Sequence, residues 1–254
     1  MHRVGIFAAT SWETKAIQAA LGSCERTRLG TISCLLSHCG GLWVYLVQSG
    51  IGPSVAGGVA SQLLAEARWD AVVSAGFACD LVQDRPGALL IGNRVRALPR
   101  AGGDVGPWSD IASNGTLLAQ AAAVLEQYRF EGRIGPYLSS DRVLWTSAQK
   151  RAVAELFGAM ALDMESAALA EAAQAYGVPF VIVRAASDLL DDTLPMDFNR
   201  WIDPGTSWLH KCGEVASLLV RPERWSRLLR LHRQSREAAV QLTGFFERFL
   251  PILV

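Results

Sequence analysis

Seven short apolar runs rich in β-branched residues recur along the chain with helical patterns between them, and this alternation constrains the fold more than any other feature. The runs are RVGIFAA (3–9), TISCLLS (31–37), LWVYLVQ (42–48), DAVVSAG (70–76), ALLIGNRV (88–95), GRIGPYLSS (132–140) and VPFVIVRAA (178–186). Several are apolar at nearly every position, the pattern of strands covered by helices on both faces. Helices are predicted over 12–21, 53–67, 112–127, 147–158 and 164–176, the last stopped by Gly177 with Pro179 just beyond. Such an alternation predicts an α/β chain folded as a three-layer αβα sandwich. Residues 1–254 read as one domain, with the Gly/Pro-rich PRAGGDVGPWSD (99–110) as an internal loop and 205–254 as a helical C-terminal extension.

In sheets of this kind ligands sit beyond the carboxyl ends of the strands. Those positions hold Thr10, Ser11, Trp12 and Glu13, then the SGIG turn at 49–52, then Gly76, Phe77 and Ala78, and finally Ser187 and Asp188. SGIGPSVAGG is a glycine turn entering a helix, and such turns can offer backbone N–H groups to an anion. Its spacing matches neither a Walker loop nor a dinucleotide fingerprint, so alone it reads as a tight turn. ALDMESAALAEAA puts two carboxylates, Asp163 and Glu165, at the opening of a small-residue helix. The positive end of the helix dipole accounts for Asp163. It accounts less well for Glu165, whose neighbours Met164, Ala167 and Ala168 read as buried. Asp188 alone reads as a cap or turn residue.

Charge narrows the partners. The 24 Lys and Arg balance 24 Asp and Glu, so nothing global draws the chain to nucleic acid. Five cysteines, odd in number and without a C-x-x-C pair, favour reduced thiols in a cytoplasmic protein over disulfides or zinc. No metal and no cofactor are expected. The opening MHRVGIFAATSWETK is charged too soon for a signal peptide, and no window approaches the roughly 18 apolar residues of a membrane span.

Taken together, SGIG, SAGFA, LDMESAALA and VPFVIVRAASD resemble the nucleoside phosphorylase and nucleosidase superfamily over residues 3–192, in particular the branch that hydrolyses methylthioadenosine and S-adenosylhomocysteine. The D-M-E-x-A-A helix followed by V-P-F-V-x-x-R-A-x-S-D is the most specific piece. The resemblance implies a mixed central sheet, a homodimer, and cleavage of the N-ribosidic bond of a purine nucleoside. That chemistry needs a proton for the departing base and stabilisation of a ribosyl cation. By the match, Asp188 protonates or hydrogen-bonds purine N7 and Ser187 orients it. Glu165 binds the ribose hydroxyls, Met164 lies along the sugar, and Arg184 fixes the site electrostatically. Glu13 stands where the nucleosidases keep the carboxylate that activates water, although AATSWETK lacks their run of consecutive glutamates. GFACD replaces a smaller, glycine-rich segment, which reshapes a base pocket that includes Phe77 and Ala78. In SSDRVLW (139–145), Val143 stands where a stacking phenylalanine is common and Leu144 would offer backbone contacts to the base edge. Trp145 suits an aromatic pocket wall or a core position equally.

Water is favoured over phosphate as nucleophile. The phosphorylases' N-terminal Gly-Asp-Pro segment is absent, their loop arginine is replaced by Ser74, and Glu13 would repel phosphate. The tail from Leu189 onwards resembles the hopanoid-associated members, which are proposed to remove adenine from adenosylhopane, and this points to a lipid-linked nucleoside. The runner-up is a phosphorolytic enzyme. A non-catalytic nucleoside-binding protein is disfavoured by the joint presence of Glu13, Glu165 and Asp188. A nicotinamide-dependent oxidoreductase rests on fold analogy alone and lacks G-x-G-x-x-G. The stretch 221–254 mixes arginines with Trp225, Leu228, Leu229, Phe245, Phe246 and Phe249. It reads first as a helix docked on the core, and second as a peripheral contact with an anionic membrane surface.

Overall fold

The computed structural model describes residues 2–82, 85–98, 110–202 and 222–253. The loop expected at 99–110, Cys212 and the first part of the expected helical extension therefore lie wholly or mainly outside the described residues. The elements are β1 (His2–Ala8), α1 (Ser11–Leu21), β2 (Glu25–Leu29), β3 (Ile32–Cys39), β4 (Leu42–Gln48), α2 (Pro53–Ala65) and β5 (Ala71–Asp80). There follow β6 (Leu89–Ala97), β7 (Ile111–Ala112), α3 (Gly115–Gln127), β8 (Gly132–Ser139), α4 (Ser147–Phe157), β9 (Ala161–Asp163) and α5 (Ser166–Ala175). The chain continues through β10 (Phe180–Leu189), α6 (Asn199–Ile202), α7 (Pro222–Phe249) and a 3-10 turn at Leu250–Ile252.

The expected three layers are present around a mixed ten-stranded sheet. Pairing is parallel for β1–β4, β1–β5, β5–β10, β6–β8 and β8–β9, and antiparallel for β3–β4 and β6–β10. Alternation within each strand feeds two cores. Ile6, Val73 and Val183 face a layer built from Ile17 of α1, Val124 of α3 and Phe245 of α7. Phe7, Val72 and Ile182 face Leu63 of α2 and Leu169 of α5. Strands covered on both faces have no polar side to show, which is why they read as continuous apolar runs.

Three strands escaped the sequence reading. ERTRL of β2 is charged, as suits the edge strand it forms against β3. β7 and β9 are too short to carry a pattern. Several strands run further than expected, β5 and β10 the most, to Asp80 and Leu189. Their extra residues have partners because the sheet closes on itself: Cys79 and Asp80 pair with β9, and the ring returns through β8, β6 and β10 to β5. Gly76, Phe77, Ala78, Ser187 and Asp188 are therefore strand residues, not loop residues beyond the strands. α3 also begins later than expected, capped by Asn114, because residues 111–112 pair with β6.

The end of the chain docks on the core. Phe245, Phe246, Phe249, Leu250 and Leu253 are buried, and Thr243 Oγ1 donates to Ala16 O of α1 at 2.7 Å. Trp225 and Leu229 at the other end of α7 are 44% and 64% exposed. Among the described residues no helix is long and apolar enough to cross a membrane.

Candidate active site

A cleft of about 850 Å³ opens at the carboxyl ends of the central strands. It is lined by Glu13, Phe77, Ala78, Val143, Leu144, Met164, Glu165, Ser187 and Asp188. Nine of the ten residues singled out in the sequence thus share one cavity. The tenth, Arg184, lies buried beneath it.

Arg184 organises the floor. It points inward from β10 and is 1% exposed. Its Nη2 donates to Ser74 Oγ at 3.0 Å and Ser166 Oγ at 3.3 Å, and its Nη1 donates to Phe77 O at 3.1 Å. Three carboxylates surround it: Asp163 Oδ2 at 2.8 Å from Nε, Glu165 Oε2 at 3.5 Å from Nη2, and Glu13 Oε1 at 3.8 Å from Nη1. The Nε contact is an ion pair only, because the oxygen lies off the line that a hydrogen bond needs. Burial pulls the guanidinium's pKa down, but the charges of Asp163, Glu165 and Glu13 overbalance it, so the net shift is upward.

Each carboxylate is held by its own local device. Glu13 is the third residue of α1 and closes a capping box with Thr10: Oε2 accepts from Thr10 N and Oγ1, both at 2.7 Å. The T-x-x-E spacing is the signature of such a box, and the sequence reading passed over it. Its other oxygen, Oε1, accepts from Phe77 N at 2.7 Å. Gly76 (φ +145°) permits that approach, since a Cβ there would run into Glu13 Oε1.

Asp163 ends β9, three residues before the helix proper. It accepts from Ser166 N, consistent with the helix-end reading, but it also takes the hydroxyls of Ser139 and Ser166 and pairs with Arg184. Sequence reasoning missed that second duty. Glu165 is the N-cap residue of α5, yet its side chain makes no cap bond. It turns away and accepts from Gly52 N at 2.9 Å. The SGIG turn does present an N–H to an anion, and the anion is the chain's own carboxylate. Burial, reinforced by Asp163 and opposed by Arg184, raises the Glu165 pKa from 4.5 to about 7.

The other end of the cleft is built by a β-bulge. The β10–β5 register shifts between Ala186 and Asp188. Strict alternation would send neighbouring residues to opposite faces, whereas the bulge lets both Ser187 and Asp188 reach the cleft. Ser187 Oγ lies 3.1 Å from Asp188 Oδ1. Asp188 Oδ2 is 2.5 Å from Lys150 Nζ, a partner that nothing in SAQKRAV announced. Val143 is held by Asn199, which accepts from its N–H at 2.6 Å and donates to its carbonyl at 2.9 Å. Trp145 does not line the cavity; Phe198 and Trp201 supply its aromatic wall, with Leu194, Ile202 and Leu231 extending the apolar side. Among the described residues no cluster could hold a metal ion.

Chemically, the floor can stabilise a positive charge and accept a proton from water, while Asp188 can exchange a proton with a group above it.

The sequence model of the family described as "Phosphorylase superfamily" matches residues 3–215. The 5'-methylthioadenosine/S-adenosylhomocysteine nucleosidase of Staphylococcus epidermidis is 27% identical over 227 residues, covering 85% of this chain and 98% of that protein. The Staphylococcus aureus protein of the same name (strain JH9) is 28% identical over 171 residues, 63% of this chain and 75% of its own length. Among solved structures, the Neisseria meningitidis nucleosidase of that name, in complex with methylthio-immucillin-A, superposes with a TM-score of 0.77 at 20% identity over 100% of both chains. The native futalosine hydrolase of Helicobacter pylori superposes with a TM-score of 0.78 at 18% identity, over 99% of this chain and 98% of its own. At these identities the structural likeness speaks to the fold alone.

Proposed function

The chain belongs to the phosphorylase superfamily, and within it we propose a nucleosidase that uses water to cleave the N-ribosidic bond of a purine nucleoside. The observation that carries this reading is the ring of three carboxylates about Arg184 at the floor of a cleft whose other wall holds Asp188. Three acids against one guanidinium leave an excess of negative charge where a ribosyl cation would form. Glu165 stabilises that cation and binds the ribose hydroxyls, with Met164 along the sugar. Glu13 takes the proton of the attacking water. Asp188, oriented by Ser187, gives a proton to the departing base, while Phe77, Ala78, Val143 and Leu144 frame the base.

Water is favoured over phosphate by the same charge distribution. Ser74 stands where the phosphorylases carry an arginine, and it is buried and bonded to Ser166 and Arg184. An anion on this floor would meet carboxylates. Adenine is the favoured leaving base, supported by the nucleosidases of methylthioadenosine and S-adenosylhomocysteine among the relatives.

The 5′ end is read as apolar, and adenosylhopane as the candidate substrate. Leu194, Phe198, Trp201, Ile202 and Leu231 line the cleft, and Trp201 and Ile51 are both exposed and cleft-lining. A lipid-linked substrate would bring the enzyme to a membrane surface, where exposed Trp225 and Leu229 on α7 offer a peripheral contact. We further read the whole chain as one cytoplasmic domain acting as a homodimer, with exposed Ile51 and Val55 beside the cleft as the support for pairing.

The test is product analysis with purified protein on adenosine, methylthioadenosine, inosine and adenosylhopane, with and without phosphate. Free ribose or its 5′-substituted form is expected, fastest from adenine nucleosides. Ribose 1-phosphate formed only with phosphate would replace hydrolysis by phosphorolysis. Binding without turnover would reduce the protein to a nucleoside binder. For the membrane contact, a Trp225→Ser/Leu229→Ser variant should lose flotation with anionic vesicles; no flotation of the parent protein would end that part of the reading. Deleting 240–254 is no test, because it removes core side chains.

A further inference from the structure

Lys150 is an expensive residue to keep where it is. It lies four residues past the Thr146 cap of α4, at the positive end of the helix dipole, and is fully buried. Helix electrostatics and desolvation both oppose an ammonium there. It is retained by complete satisfaction of its three donors: Asp188 Oδ2 at 2.5 Å, Leu189 O at 3.0 Å and Asp192 O at 2.9 Å. It does not line the cleft, and Asp188 does. The lysine therefore stands directly behind the base-side acid.

We propose that Lys150 is the positioning residue for Asp188: its ammonium ties back Oδ2, presents Oδ1 to the purine, and stabilises the carboxylate left when the proton departs. This rests on the nucleosidase reading above. In that step the Asp188 O–H bond breaks and an N–H bond forms on the base as the electrons of the ribosidic C–N bond pass into the ring. The base leaves neutral, and the new carboxylate faces a cation that is already in place. Water adds to the sugar carbon and yields its proton to Glu13.

The surrounding groups leave Lys150 as the charge that matters. Cys79 faces the pair from β5; burial first, then the Asp188 charge, push its pKa well up, so it stays a neutral thiol. Asp192 faces it from the turn after β10, but its carboxylate is turned to Leu189 N and Gln234 Nε2, both at 3.0 Å, with Arg230 at 3.3 Å. Burial pulls the Lys150 pKa down and Asp188 more than restores it, so the lysine keeps its proton.

The experiment compares wild type, Lys150→Met, Asp188→Asn and the double variant across pH on methylthioadenosine. Lys150→Met should lower kcat about 100-fold and move the alkaline limb of kcat/KM up by about one unit or more. In the Asp188→Asn background the same change should cost nothing further in kcat. A limb that stays put, or an equal loss in both backgrounds, overturns the proposal and leaves a structural lysine. If Lys150→Met fails to fold, Lys150→Arg carries the test. With its charge kept and geometry altered, the limb should hold and kcat fall at least about tenfold; wild-type kcat or a shifted limb overturns it. Absence of turnover by the wild type sinks the nucleosidase reading together with this one, whereas turnover with an unmoved limb sinks this one alone.

Discussion

The two ends of the cleft handle charge in opposite ways. At the sugar end, Glu13, Asp163 and Glu165 share Arg184, an excess of two negative charges when all are ionised. At the base end, Asp188 and Lys150 balance one to one. The unbalanced cluster is uncomfortable empty, which is why burial and Asp163 hold Glu165 near pH 7, and a cationic sugar would relieve it. The pair balances once Asp188 has given up its proton, because the carboxylate then formed faces a buried cation already in place. One end suits a developing cation, the other suits proton transfer.

The sharpest way to break this contrast is to remove Arg184. Arg184→Met leaves three buried carboxylates without a countercharge and should cost about 3–5 kcal/mol of stability at neutral pH. Part of that loss should return near pH 5, as carboxylates protonate. Urea unfolding at both values checks it, and a loss below about 1 kcal/mol would mean that the cluster is not held by its cation.

At the other end, Asp188→Asn should lower kcat by about 10²–10⁴-fold, measured by base release. It should also lower Tm, since Lys150 keeps its two carbonyl acceptors but loses its countercharge. Lys150→Met added to Asp188→Asn should restore part of that Tm. Near-normal turnover by Asp188→Asn would remove the base-side acid from the mechanism.

A third prediction separates the ends by pH. A carboxyl whose folded-state pKa is raised from 4.5 to about 7 contributes stability that is fully present below pH 4.5 and is lost as pH rises through 7. The full shift corresponds to at most about 3 kcal/mol. Unfolding free energies at pH 5, 6, 7 and 8 should show Glu165→Gln gaining on wild type across that window while losing kcat/KM. Parallel stability curves would show that the excess charge carries no strain.

The smallest effect belongs to Glu13→Gln. Glutamine also serves in a capping box but keeps only one accepting oxygen, so one buried donor loses its partner and stability should fall by about 1–2 kcal/mol while hydrolysis falls sharply. A large drop in Tm with activity preserved would reassign Glu13 to capping alone.

Most of the cleft was legible because its parts are local. LDMESAALA and VPFVIVRAASD each carry several site residues within a dozen positions, whereas the T-x-x-E cap of α1 went unread although its spacing was there. The strand and helix alternation was legible for the same reason, apart from edge strand β2, whose charges face solvent, and the very short β7 and β9.

What the sequence by itself determined is the order and type of the long elements, because periodicity and capping are properties of neighbours in the chain; the candidate residues came from the family resemblance. Only the tertiary structure decided their pairing. Lys150 looks like a surface residue of SAQKRAV until sheet closure brings Asp188, 38 positions later, against it. Asp163 looks like a dipole residue until Arg184 arrives from β10. The tail could lie on the core or on a surface until Phe245, Phe246 and Phe249 filled the layer beside α1 and α3. Charge balance and desolvation depend on distances across the fold, and no local pattern encodes those.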